Sequence, residues 1–241
     1  LMGAVFTFYL TQRLRHPHAY FLPAGGSNAI GTLGFVNAAY ELKAQVDAGE
    51  MPAPAVIFCP VGSNGTLAGL TLGARLAGLD CEIIGVRVSF AHCGPFQNCT
   101  AAKVRRLMSQ TLHVLKQVIP EFGTVDLPEP VLWHDYLGGG YGFPTASGGR
   151  AGRLLERREQ IRLDPTYTAK TFAAVLDYCR KRAARSGPVL YWHTYNSVDL
   201  DKQARSVDEN DLPGCLRPFL SDREIEDYTG GKEDDAQADV H

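Results

Sequence analysis

Apolar and polar positions alternate along this 241-residue chain in two distinct rhythms, one of short continuous apolar runs and one of helical stripes. The clearest unit lies at Ala55–Leu76. Val56, Ile57, Phe58 and Cys59 form a four-residue apolar run of the kind that fills a strand buried on both faces. Pro60 is expected to stop it, Gly62, Ser63, Asn64, Gly65 and Thr66 to turn, and Leu67, Leu70 and Leu72 to carry a helix as far as Gly78. On either side the pattern repeats. Val5, Phe8, Tyr9 and Gln12 predict a helix over 1–15, broken by His16-Pro17. Tyr20, Phe21 and Leu22 predict a short strand ending at Pro23, followed by a Gly25–Asn28 turn and a helix to about Ala48 with Phe35, Ala39, Leu42 and Val46 inward. Cys81–Val88 predicts a second buried strand, and Val104, Met108, Leu112, Leu115 and Ile119 line one side of a helix over 101–119. Val131–Trp133 and Pro188–Trp192 predict two more strands, and helices are expected at about 148–161 and 168–185.

Strands and helices thus alternate, which predicts an α/β fold: an open, mostly parallel sheet with helices on both faces. Ligands in such sheets bind beyond the carboxyl ends of the strands. Three turns fall there: Gly25–Asn28, Gly62–Thr66 and the residues after Trp192. A glycine-flanked turn into a helix leaves backbone N–H groups unpaired where the helix dipole favours an anion. The Gly62–Thr66 bend has no Gly-Lys-Ser/Thr and no G-x-G-x-x-G spacing, so it is neither a P-loop nor a dinucleotide fingerprint. A nucleotide-binding domain would also want an acidic ribose partner about 20 residues further on.

Composition narrows the classes. Hydrophobic content of 45% supports a substantial core, and the length suits one large domain, or one domain with part of a second. The formal net charge is −2; residues 221–241 hold eight acidic and two basic residues, leaving 22 basic and 18 acidic before them. That balance excludes a nucleic-acid footprint. The acidic segment from about Ser221 reads as a disordered tail. The six cysteines form no C-x-x-C pair or disulfide framework, which implies a reducing, cytoplasmic setting, and His92, Cys93, Cys99 and His113 fit no common structural zinc spacing. No run of about 18 apolar residues suggests a membrane span.

Four stretches carry a resemblance: PAGGSNAIGTLGF, CPVGSNGTLAGL, GGGYGFPT and LDPTYTAK. In order and rough spacing, from about Tyr20 to Thr194, they resemble the 1-aminocyclopropane-1-carboxylate deaminase / D-cysteine desulfhydrase family, pyridoxal 5'-phosphate (PLP) enzymes with the tryptophan synthase β-like fold. The resemblance implies that Gly62, Ser63, Asn64, Gly65 and Thr66 hold the cofactor phosphate, that Tyr141 faces the substrate and Tyr167 is catalytic, that Thr168 meets the pyridine nitrogen, and that Gly26 and Thr194 lie on the substrate side. Deaminases of the family carry Glu where Thr168 stands and Leu where Thr194 stands; the desulfhydrases carry Thr at both. A hydroxyl beside the ring nitrogen stabilises a carbanion less than a carboxylate does, which suits β-elimination of a good leaving group.

Two departures stand out. Tyr195-Asn196 replaces the family's Gly-Gly after Thr194, and Asn64 replaces a cradle glycine. The resemblance places the Schiff-base lysine upstream of Tyr20, yet the first lysine here is Lys43, on a helix the family does not use for that role, and Lys170 belongs to the Tyr-Thr-x-Lys motif. The expectation is a domain division of 1–19 (remnant of a small N-terminal domain), 20–220 (large PLP-binding domain) and 221–241 (tail). The expected activity is that of a D-cysteine desulfhydrase-like lyase acting on a small amino acid, in a homodimer, with the lysine outside this chain. The alternatives are a 1-aminocyclopropane-1-carboxylate deaminase and a non-catalytic PLP- or anion-binding protein.

Overall fold

The computed structural model describes residues 2–181, 187–196, 198 and 207–211. Its centre is a four-stranded parallel sheet. Strand β1 (Val56–Val61) lies between β2 (Glu82–Arg87) and a short strand at Val189–Tyr191, and β2 is flanked on its far side by a strand at Val131–Trp133. Val56 pairs with Glu82 and Val189, and Ile84 with Val131. Every residue of β1 is buried. Its side chains alternate between two cores: Ile57, Cys59 and Val61 face one, Val56 and Phe58 the other. That is why the sequence run is continuously apolar rather than alternating.

Helix α1 spans Met2–Arg15, α2 Leu33–Asp47, α3 Gly65–Ala77 and α4 Ala101–Val118. Val36, Ala39 and Leu42 of α2, Leu67, Leu70 and Leu72 of α3, and Val104, Met108 and Leu112 of α4 share the first core. Helix α3 is buried almost all round, consistent with its unbroken apolar character. Ser89 and Thr100 bracket a small hairpin of β3 (His92–Cys93) and β4 (Phe96–Gln97), which apolar periodicity did not signal. With these in chain order, Val131–Trp133 is β5 and Val189–Tyr191 is β6. Helices α5 (Ala146–Glu159) and α6 (Thr168–Lys181) follow β5; Ala174, Val175 and Tyr178 of α6 pack on the second core against Phe58, whose ring meets Trp133 and Tyr178 edge-on at 5.4 and 5.2 Å.

Three expectations are corrected. Tyr20–Leu22 is not a strand: it joins no sheet, and the three side chains are 73, 56 and 66% exposed. A three-residue apolar run has strand propensity but no partner edge here. Strand β1 continues through Pro60 to Val61, because Pro60's missing N–H falls on the β6 side, where pairing has already ended at Phe58–Tyr191, while pairing with β2 runs on to Val61–Arg87. Helix α2 starts only at Leu33, since Asn28 caps a turn of its own, accepting from the N–H groups of Ile30 (3.0 Å) and Gly31 (2.8 Å). The expected tail at 221–241 and the end of the 168–185 helix lie outside the described residues. Among the described residues no helix is long and apolar enough to cross a membrane.

Helix α4 begins at a side-chain cap, Thr100 Oγ1 accepting from Lys103 N–H at 3.2 Å. Thr100→Ala is expected to cost about 1 kcal/mol, read as a lowered denaturant midpoint at unchanged slope.

Candidate functional site

At the carboxyl end of β1 the chain turns through Gly62–Asn64 into α3. Asn64 adopts a left-handed conformation (φ 76°) that asparagine tolerates better than most residues. Its Nδ2 donates to the Asn98 carbonyl at 2.9 Å, while its buried Oδ1 has no hydrogen-bond partner. Among the described residues, no acceptor takes the backbone N–H groups of residues 62–66, and the Thr66 hydroxyl is likewise unpaired. These donors stand at the head of a 13-residue helix, the end where its dipole is positive. A half-buried turn that leaves these donors unpaired, with no lysine or arginine in it, suits a phosphate held through backbone amides.

The turn's glycines make room for protein. A Cβ on Gly62 would lie 2.9 Å from Tyr167 Cε1, and one on Gly65 would lie 2.7 Å from Ser27 Oγ. Ser27 donates to Ser63 Oγ at 2.7 Å, so the Gly25–Asn28 turn docks on the bend from 36 residues away. Gly26, the substrate-side candidate on that turn, sits at φ 61° and is not among the residues that line the cavity of the tyrosine pair described below.

The far wall is the N-terminus of α6. Asp164 caps it: Oδ1 accepts from Thr166 N (3.0 Å) and Tyr167 N (2.7 Å), and Oδ2 from Thr168 N (3.0 Å) and the Thr168 hydroxyl. Motif reasoning passed over Asp164, although an acidic residue followed by proline at a helix start is itself a capping signal. Thr168 is wholly buried. Its hydroxyl donates to Asp164 and accepts from the Asp164 N–H at 2.7 Å, which leaves one lone pair and no free proton.

Tyr141 and Tyr167, 26 residues apart, meet hydroxyl to hydroxyl at 2.6 Å with their rings edge-on. Burial, then the bond to Tyr141, then the neighbouring charges push the Tyr167 phenol up, so it stays protonated at neutral pH. The two tyrosines, Asp164, Thr166, Thr194 and Tyr195 line a cavity of about 450 Å³. The structure therefore brings Tyr141, Tyr167 and Thr194 together, with Tyr167 resting on the bend; Thr168 lies behind this wall. Tyr195, standing where the resemblance leads one to expect glycine, is one of the lining residues and is half exposed. Burial disfavours the charged form of His193, partly offset by Asp164. A second cavity, of about 440 Å³, lies at the opposite end of the sheet near Arg75 and Glu82 and contains none of these residues.

Several groups here and in the two cores share one titration behaviour. Burial raises Tyr167 and Tyr191, and pushes Tyr136 and the Cys59 thiol up to about 12. The unfolded chain releases these protons near pH 9–10, the folded chain later, so the folded form holds more protons and loses stability as pH rises. The melting temperature is expected to be level below about pH 9 and to fall steadily above it; a flat profile to pH 11.5 or so would contradict these assignments.

Comparison with known proteins follows the same lines. The sequence profile of the pyridoxal-phosphate dependent enzymes matches residues 7–194. A solved structure described as an ACC deaminase homologue is 27% identical, with a TM-score of 0.64 over 85% of this chain and 59% of that one. A threonine deaminase from T.th. is 22% identical at a TM-score of 0.40, over 67% of this chain and 56% of that one. A fungal L-serine ammonia-lyase from Rhizomucor miehei is 17% identical at 0.45, over 74% and 56%. The chain thus spans less than two thirds of the length of each.

Proposed function

The chain belongs to the pyridoxal-phosphate dependent enzyme family, and from that premise we propose that it forms the cofactor domain of a lyase that eliminates a good leaving group, such as thiolate, from Cβ of a small amino acid, in the manner of D-cysteine desulfhydrase. The observation that carries the proposal is the unpaired donor set of residues 62–66 with Tyr167 seated against Gly62. Those N–H groups and the Ser63 and Thr66 hydroxyls would hold the cofactor phosphate. When bound, the cofactor supplies the electron sink that makes the substrate's Cα–H acidic.

The chain's own residues then have separable roles. Tyr167 presents a phenol that keeps its proton, so its Oη can hand that proton to a departing group while the Tyr141 hydroxyl, 2.6 Å away, holds it in place. Thr194 and Gly26 are assigned to the substrate side. Thr168 is assigned to the ring nitrogen, which its hydroxyl would meet as a neutral donor only by turning its proton away from Asp164, the partner it has here. Tyr195 puts a bulky ring in the cavity lining where glycine would leave more space, which favours a compact substrate. An assembly of two copies is part of the proposal.

The deaminase reading draws on the ACC deaminase homologue. What favours elimination over it is Thr168, a neutral residue where a deaminase of the resembled family has Glu. The test uses this chain and the longest open reading frame that contains it, each saturated with PLP. Pyruvate and sulfide from D-cysteine, with no 2-oxobutyrate from 1-aminocyclopropane-1-carboxylate, supports the lyase; the reverse product pattern supports the deaminase. Saturable PLP binding with neither product supports a binding protein, and absence of PLP binding in both preparations sinks the cofactor assignment.

A further inference from the structure

Lys170 is wholly buried, in α6, three residues after Tyr167 and so on the same side of the helix. Its Nζ donates to the carbonyls of Leu137 (2.8 Å) and Gly140 (3.0 Å) and forms no ion pair with any described carboxylate. Burying an ammonium is costly unless it is hydrogen-bonded, and here both bonds go to one loop. That loop, residues 134–145, joins β5 to α5 and carries Tyr141. It is a poor structure by itself: Gly138, Gly140 and Gly142 all have positive φ (65°, 146° and 86°), and its internal backbone bonding among the described residues is a single long contact, Phe143 N to Gly140 O at 3.4 Å. Glycines in such conformations lose the most entropy on ordering, so something outside the loop must hold it.

We propose that Lys170 is a positioning residue: by clasping the Leu137 and Gly140 carbonyls it fixes the glycine-rich loop so that the Tyr141 hydroxyl meets Tyr167. One helix thereby sets both members of the tyrosine pair, Tyr167 directly and Tyr141 through the lysine side chain. The role depends on no cofactor and stands apart from the assignment of the reaction.

The test uses this chain without added ligand. In Lys170→Met, amide hydrogen exchange across residues 138–143 is expected to rise about tenfold or more, while amides of β1 and α3 change by less than about twofold. The Tyr167 share of the late tyrosinate absorbance, taken as the difference from the same protein carrying Tyr167→Phe, is expected to move down toward the ordinary value of about 10. Tyr141→Phe should lower that titration too but leave loop exchange as in the wild type. Lys170→Gln keeps an uncharged donor that reaches at most one of the two carbonyls, so it should fall between wild type and Lys170→Met. It also carries the test if Lys170→Met does not fold. Loop exchange and tyrosine titration at wild-type values in a folded Lys170→Met, or in Lys170→Gln if that alone folds, overturn the proposal. A uniform rise in exchange through β1, α3 and the loop alike also overturns it, because the lysine would then be an ordinary core residue.

Discussion

Tyr167→Phe is expected to lower kcat of the PLP-loaded enzyme by about 10²–10⁴-fold, the usual contribution of one positioned proton carrier, while PLP affinity changes by less than about threefold. The ring of Tyr167 is retained and still covers Gly62, so the bend that would hold the phosphate keeps its wall. What disappears is the hydroxyl that meets Tyr141 at 2.6 Å. Tyr141→Phe removes the other half of the same bond. If the two act as one unit, the double variant should be no worse than the worse single variant, a non-additivity that marks shared function. A Tyr167→Phe enzyme with unchanged kcat would show that the pair is packing and that the proton is carried elsewhere. Loss of PLP binding in that variant would assign Tyr167 to the cofactor rather than to the chemistry.

Gly73→Leu is expected to destabilise the fold by about 3 kcal/mol or more, at the upper end for overpacking, read as a large fall in the denaturant midpoint or as failure to accumulate soluble protein. Helices α2 and α3 cross closely at Gly69 and Gly73. A Cβ on Gly73 would lie 2.7 Å from Ala39 Cβ and from the Val36 carbonyl oxygen, and 2.9 Å from Val36 Cα; one on Gly69 would lie 2.4 Å from Phe35 Cβ. These are backbone or first-carbon atoms, with no rotamer through which to retreat, so the helices themselves must separate. Since α3 supplies the donors at its N-terminus, a separation would tilt the bend as well. The comparison is Gly34, on the outer side of α2, where an added Cβ meets nothing within 4 Å. Gly34→Ala should hold or slightly raise stability, since alanine favours a helix over glycine by up to about 1 kcal/mol. Equal effects at 34 and 73 would refute the close-crossing account.

How much of this was legible beforehand depends on the range of the interactions. Continuous burial of β1, the inward stripe of α4 and the bend at Gly62–Thr66 could all be read from neighbouring residues, because strand and helix periods and turn chemistry act over a few positions. The same local reading failed at Tyr20–Leu22, whose apolar residues promise a strand only if an edge is free to receive them. It also passed over Asp164, whose capping role follows from where α6 starts rather than from any site motif.

By itself, then, the sequence determined an alternating α/β chain with one fully buried central strand, a lysine-free turn suited to an anion, and the motifs that tie it to PLP enzymes. The three-dimensional structure alone decided the strand order β5-β2-β1-β6, and with it every contact that makes a site: Ser27 on Ser63 across 36 residues, Tyr141 on Tyr167 across 26, Lys170 on the loop 30 residues before it. Thr168 was recognised by motif, yet only packing showed its hydroxyl turned toward Asp164. The reason is physical. Hydrophobic period specifies which face of an element is buried, but which elements then lie side by side is settled by closing long loops and filling one shared core, a balance that no short window of residues contains.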